Sequence, residues 1–305
     1  MKAQTIGVEV EMNSIKRSKA ARVAAEVFGT GRYADTHAEN GYSCWSAWDE
    51  RGRQWKFVTD SSISGPVSEQ CEMVSPILRY EDIELLQQVV RALRHAGAKS
   101  DADRGCGVHI HIGAEGHDAR TLRNLANIMA SHEELLADAL DLDRGRLDRW
   151  CRTVDEGFLR LVNRRKPKSM AELADVWYGS QGYHGSRAQH YHGSRYHMLN
   201  LHATFTKGTI EFRLFQFDRP SEGRKGGLHA GQLKSYIQLC LALSQMAKEQ
   251  RCASARPQQT ENPRYAMRTW LLRLGFVGDE FKTARDLLTR RLPGDTAFRD
   301  MRRAG

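Results

Sequence analysis

Residues 5–12 (T-I-G-V-E-V-E-M) alternate: Ile6, Val8, Val10 and Met12 share one side, and Gly7, Glu9 and Glu11 the other. A repeat of two residues predicts a β-strand. Ser14 then predicts the cap of a helix running to about Phe28, with Gly29 as its stop. Residues 42–48 and 54–59 read as two strands joined by the polar turn 49–53, and residues 70–74 as a short strand ended by Pro76. Over 80–96 the apolar positions Ile83, Leu86, Val90 and Leu93 keep helical spacing, and Gly97 closes the helix. Residues 108–112 alternate again and predict a strand, whereas 119–142 predict one long helix. Ser169 and Glu172 form a capping-box pattern opening a short helix. Residues 198–204 and 209–215 predict paired strands, with Lys207 and Gly208 near the turn. Residues 227–249 and the segments near Pro263, Asp279 and Thr296 predict helices.

Short strands separated by hairpins, or by helices of varied length, lack the regular rhythm of a doubly wound sheet. The expectation is an α+β protein built on a mainly antiparallel sheet. No strong linker divides the chain, so a single domain over 1–305 is expected, with a strand-rich core over about 1–219 and a helical, basic part over about 220–305. Composition refines this in two ways. No stretch approaches the roughly 20 apolar residues of a membrane helix, and the first residues lack the apolar run of a secretory signal; a cytoplasmic location follows as the expectation. None of the six cysteines forms a C-x-x-C pair, so they read as reduced thiols rather than as zinc or redox motifs. The net charge is 46 − 37 = +9. Residues 251–305 carry 12 Lys/Arg against 6 Asp/Glu, a basic surface suited to a polyanion or simply to solvent.

The chemistry lies in acids, histidines and an arginine at strand spacing. Glu9 and Glu11 project to one face of their strand. Adjacent carboxylates on a concave face repel unless a cation lies between them, and their hard oxygens suit magnesium or manganese. His109 and His111 repeat the spacing in G-C-G-V-H-I-H-I, where Gly105 and Gly107 admit a close backbone or ligand. Glu211 and Arg213 in T-I-E-F-R-L-F form a third pair, which a cross-strand salt bridge would also explain. Asp60 and Glu72 are further acids at strand ends, each unremarkable alone. One shared metal-binding face accounts for all of them with a single assumption. Separately, Y-H-G-S-R occurs twice, at 183–187 and 191–195, in a stretch rich in Gly, His and aromatics that reads as a mobile surface loop of the kind that carries ligand contacts, although a chance local duplication would also account for the repeat.

The ordered set G-V-E-V-E-M, V-T-D-S-S, C-E-M-V-S-P, G-C-G-V-H-I-H-I, L-N-L and T-I-E-F-R-L-F resembles the amidoligase branch of the glutamine synthetase and glutamate–cysteine ligase superfamily. The resemblance spans residues 7–215 and implies an antiparallel sheet curved into a half-barrel with helices outside. It implies an ATP-dependent ligase that joins a carboxylate, glutamate-like or part of a peptide or protein, to an amine through an acyl phosphate, with Mg2+ or Mn2+ as cofactor. By resemblance Glu9, His109 and Glu211 hold one metal, and Glu11, Glu72 and Asp60 the other. Arg213 faces the transferred phosphoryl group, His111 lines the nucleotide side, and Asn200 with Arg195 binds substrate or phosphate; Glu72, Glu211 and Arg213 are the catalytic set. Cys71 stands where the pattern leads one to expect glycine, and neither the doubled Y-H-G-S-R nor the basic C-terminal helices match anything in that family.

Competing readings remain at this level. A zinc hydrolase using His109 and His111 would act without nucleotide, but carboxylates outnumber soft ligands. A nucleic-acid-binding protein using the basic C-terminal third would leave the paired acids unexplained. A nucleophilic Cys106 paired with His109 fails on a strand, because residues three apart point to opposite faces. Neither a nucleic acid nor a membrane is therefore expected as a partner; a homo-oligomer is compatible with the sequence.

Overall fold

The computed structural model describes all residues except 41, 42, 181, 183, 184, 190, 222–225, 258, 259 and 298–305. Tyr42 of the predicted second strand, and Tyr183 and His184 of the first Y-H-G-S-R copy, lie outside the described residues. The first part of the chain forms β1 (Ile6–Met12), α1 (Arg17–Val27), β2 (Tyr33–Asp35), α2 (His37–Asn40), β3 (Trp45–Trp48), β4 (Gln54–Val58), β5 (Cys71–Val74), α3 (Ile83–His95) and β6 (Val108–Gly113). There follow α4 (Ala119–Ala130), α5 (Glu133–Leu140), α6 (Arg144–Arg149), α7 (Glu156–Arg165), α8 (Met170–Ser180), β7 (Leu199–Asn200), α9 (His202–Lys207), β8 (Thr209–Phe215), α10 (Ala230–Glu249), α11 (Pro263–Arg273) and α12 (Lys282–Thr289). The strand order is β2-β3-β4-β5-β1-β6-β8-β7, an open sheet not closed into a barrel. The α+β class with an antiparallel sheet is as the pattern predicts, and an open sheet agrees with the curved sheet that the resemblance implies. The chain forms two compact units, one of residues 2–111 with 215–234, the other of Met1 with 112–214 and 235–305.

In the first unit β2, β3, β4, β5 and β1 pair antiparallel in that order. One face of this ladder carries Val8, Val10, Met12, Trp55, Phe57, Cys71 and Met73, all buried. α1 packs on β3, β4 and α3, and the Phe28 ring lies 5.2 Å from Trp55. Burial of these side chains removes the apolar face from water, at about 1.5–3 kcal/mol for each large one. The opposite face carries the acids. Asp49 ties the β3–β4 turn: its carboxylate accepts from the Arg51 and Arg53 amides, the Arg53 guanidinium and the Trp55 indole N–H.

In the second unit α4, α7 and α8 pack together around Phe158 and Trp177, whose rings meet edge-on at 4.9 Å. α12 packs on α5 and α11, and β7 pairs antiparallel with β8. The single helix expected over 119–142 is two. Ser131 Oγ and His132 Nδ1 both reach the Ile128 carbonyl, at 2.9 and 3.0 Å, and the backbone leaves helical geometry at His132. The strand expected over 198–204 stops at Asn200, whose side-chain oxygen accepts the His202 N–H and opens α9 instead. Helix α6 has a single apolar residue, Leu147, and so no period to reveal it, whereas α7 buries Phe158 and Val162 at helical spacing, a pattern the expected elements did not include. Asp143 and Asp155 cap them by accepting from the amides three residues on, and that signal was present in the sequence. Thr296 itself lies in a bend, and the part of the predicted helix from residue 298 onward lies outside the described residues.

Candidate functional site

Register decides the geometry of the acids. β1 pairs with β5 so that Glu11 stands directly opposite Glu72, and Glu9 opposite Val74. Like charges directly opposite on a sheet destabilise it unless a counter-charge is present. β6 supplies the histidines. His109 sets Nδ1 3.0 Å from Glu9 Oε2 and Nε2 3.7 Å from Glu11 Oε1. His111 sets Nε2 3.3 Å from the other Glu9 oxygen. Gly7 leaves the space for this approach, since a Cβ there would lie 3.3 Å from that of His111. The Gly107 N–H donates to Glu11 Oε2 at 2.6 Å. Neither Gly7 nor Gly107 was read as a site residue, although the glycines before His109 were read as admitting a close backbone.

Asp60 arrives from the loop after β4. Its Oδ1 accepts from the Ser62 amide and hydroxyl at 2.7 and 2.6 Å. The loop is pinned by Ser64 N–H to Arg104 O, and by Asn13 Nδ2 to Ser64 O. Gly105 makes the pinning feasible: its φ is +69°, and a Cβ would meet Ser62 O at 2.5 Å. The result is two clusters within this unit. Ligand atoms of Glu9, Glu72 and His109 lie within 4.8 Å of one another, and so do those of Glu11, Asp60 and Glu72.

The donor set fits a hard divalent cation. Glu11 and His109 are nearly buried, yet three carboxylates converge there. Both His109 nitrogens face carboxylate oxygens, Nδ1 at 3.0 Å from Glu9 and Nε2 at 3.7 Å from Glu11, so the ring adds a nitrogen donor to the acidic cluster. Oxygen donors with a single nitrogen match Mg2+ or Mn2+ better than a thiolate-preferring metal. Burial pushes the Glu9 carboxyl up, but the charge of His111 and the hydrogen bonds from His109 and His111 outweigh it and hold the group well below the usual carboxylate range.

The remaining predicted residues cluster in the second unit. Glu211 and Arg213 project from β8 and are both buried. Arg213 Nη1 donates to Glu211 Oε1, and Asn200 Nδ2 on β7 donates to Glu211 Oε2. The Tyr196 ring carries two guanidiniums, with the Cζ atoms of Arg195 and Arg213 each 5.8 Å from its centroid. Tyr196 was not anticipated. Its neighbour Arg195 was, and an aromatic beside a predicted arginine was the available hint.

A family model described as "Putative amidoligase enzyme" matches residues 2–244. The chain belongs to this amidoligase family. The match includes every candidate site residue named above. Residues 245–305 of this amidoligase, with α11 and α12, lie beyond it. No curated protein matches the chain. Among the described residues, no helix is long and apolar enough to cross a membrane.

Proposed function

We propose that this amidoligase is an ATP-dependent carboxylate–amine ligase working through an acyl phosphate, with Mg2+ or Mn2+ as its cofactor. The observation that carries the reading is the Glu9, Glu11 and Glu72 ladder, with Glu11 and Glu72 in register and both nitrogens of His109 turned to carboxylates. An amide does not form from a carboxylate and an amine in water without a drive. Transfer of the γ-phosphoryl group of ATP to the carboxylate supplies it, and the amine then attacks the acyl carbon, loses its proton to a base and expels phosphate. Bringing a carboxylate to a triphosphate needs positive charge to offset the repulsion, and divalent cations supply that charge. Glu9 with His109, and Glu11 with Glu72 and Asp60, would hold the cations. Glu211 is assigned to metal and Arg213 to the phosphoryl group; His111 takes the nucleotide side, and Arg195 binds phosphate or substrate. The carboxylate substrate is glutamate-like or belongs to a peptide or protein. The protein acts in the cytoplasm.

Thermal unfolding with ATP, with and without Mg2+, tests this directly. ATP and Mg2+ together should raise Tm, because a ligand confined to the native state stabilises it. Glu9→Gln should remove the shift while leaving the folded protein intact, and should abolish phosphate release in a screen of carboxylates and amines. An unchanged Tm with ATP and Mg2+, together with tightly held zinc in the purified protein, would replace the ligase with a metal-dependent hydrolase.

A further inference from the structure

Glu211 is held at both oxygens, and the donor on the second is itself fixed by a chain of unambiguous hydrogen bonds. The chain starts at Gln189, two residues before the second Y-H-G-S-R copy. The Gln189 carbonyl can only accept, so His202 Nε2, at 3.1 Å, carries the proton. His202 Nδ1 is then the acceptor, and the Tyr178 hydroxyl donates to it at 2.6 Å. The His202 backbone N–H donates to Asn200 Oδ1 at 2.9 Å. This fixes the orientation of the amide, so its NH2 side faces Glu211 Oε2. Asn200 is 1% exposed and His202 3%. The second copy fastens the same chain from the other side. His192 stacks on His202 at 5.3 Å, the Ser194 N–H donates to His192 Nδ1, and the Trp177 indole donates to Ser194 Oγ at 3.1 Å.

We infer that Asn200 is a positioning residue acting through Glu211 rather than a substrate-binding group, and that Tyr178, His202 and the second Y-H-G-S-R copy are the anchor that holds it. The inference rests on the reading of Glu211 as a metal ligand. A carboxylate that must bind a cation loses less on binding when a neighbour already fixes its rotamer and leaves it ionised. An amide does this without adding charge, and it cannot be replaced by an acid without setting two carboxylates together. The anchor uses the second copy of the motif. His192 and Ser194 of the second copy are buried at 2% and 0%, whereas Gly185, Ser186 and Arg187 of the first are exposed.

Mn2+ binding in the presence of ATP, followed by the electron paramagnetic resonance signal of free Mn2+, tests this without knowledge of the substrates. Glu211→Gln should abolish the tight component. Asn200→Ala should weaken it by about tenfold or more, the range known for partners of metal ligands, whereas Asn200→Gln, which keeps the amide donor, should weaken it less. Should Asn200→Ala fail to fold, Tyr178→Phe removes the anchoring O–H from a distance and should weaken Mn2+ by about threefold. Unchanged Mn2+ affinity in the folded Asn200 and Tyr178 variants, with binding lost in Glu211→Gln, overturns the inference and leaves the ligand reading standing. Unchanged affinity in Glu211→Gln overturns both.

Discussion

Two titratable residues away from the candidate site show how burial at single positions sets pH dependence. Glu133 opens α5 as a residue only 4% exposed, its carboxyl accepting from the Val154 N–H at 2.8 Å. Burial pushes it up to about 8, the Val154 hydrogen bond opposing and Glu134 adding to the rise. The folded state therefore prefers the acid form, and stability present below the unfolded carboxyl range is lost as pH rises towards 8. Glu133→Gln keeps the acceptor and removes the charge. It should stabilise the protein by about 3 kcal/mol at pH 7 and by almost nothing near pH 4.5, as urea unfolding at the two pH values would show. His117 has the opposite sign. Burial, then the charge of Lys248, lower it to about 4 against an opposing pull from Asp118, so its contribution is complete above the ordinary histidine range and is lost as pH falls towards 4. Wild-type stability should thus decline on both sides of a mildly acidic optimum, and Glu133→Gln should flatten only the alkaline limb.

Among the elements, the strands were the most legible and the loops the least. The alternation over residues 5–12, 108–112 and 209–215 predicts β1, β6 and β8 nearly to the residue, because a strand with one apolar face writes its period into the sequence. The same period places Glu9 with Glu11, and His109 with His111. It says nothing of which strands are neighbours, so the pairing of Glu11 with Glu72 needed the β1–β5 register. Local side-chain capture defeated periodicity at Ser131 and His132 and at Asn200, where side chains took backbone partners that a regular element would have used. Gly105 was read from the sequence as admitting a close backbone, and packing shows which one: the Ser62 carbonyl. Gly105→Ala adds a left-handed strain and a contact with Ser62 O. It should destabilise the protein by about 2 kcal/mol and weaken Mn2+ binding by moving the loop that carries Asp60; an unchanged Mn2+ titration would separate that loop from the metal clusters.

For the molecule as a whole, the proposed ligands should act as stabilisers by mass action. At 100 times its Kd, a ligand specific to the native state adds about 2.7 kcal/mol. Tm in ATP with Mn2+ should therefore climb with ligand concentration and fall back on chelation, and a flat response would argue against metal-linked nucleotide binding. The excess of 46 Lys/Arg over 37 Asp/Glu coexists with a cluster of converging acids, which is why net charge could not identify the site. By itself the sequence determined the α+β class, the strands that bear the chemistry, and the residue types that share a strand face, because these follow from the two-residue period of an extended chain. The tertiary structure alone decided that Glu72 faces Glu11 and that His109 is shared between two carboxylates. It alone turned Asn200 toward Glu211 and made the two copies of Y-H-G-S-R differ, one buried at His192 and Ser194 and the other exposed from Gly185 to Arg187. Each of these depends on contacts between strands or loops brought together by folding, which no local pattern encodes.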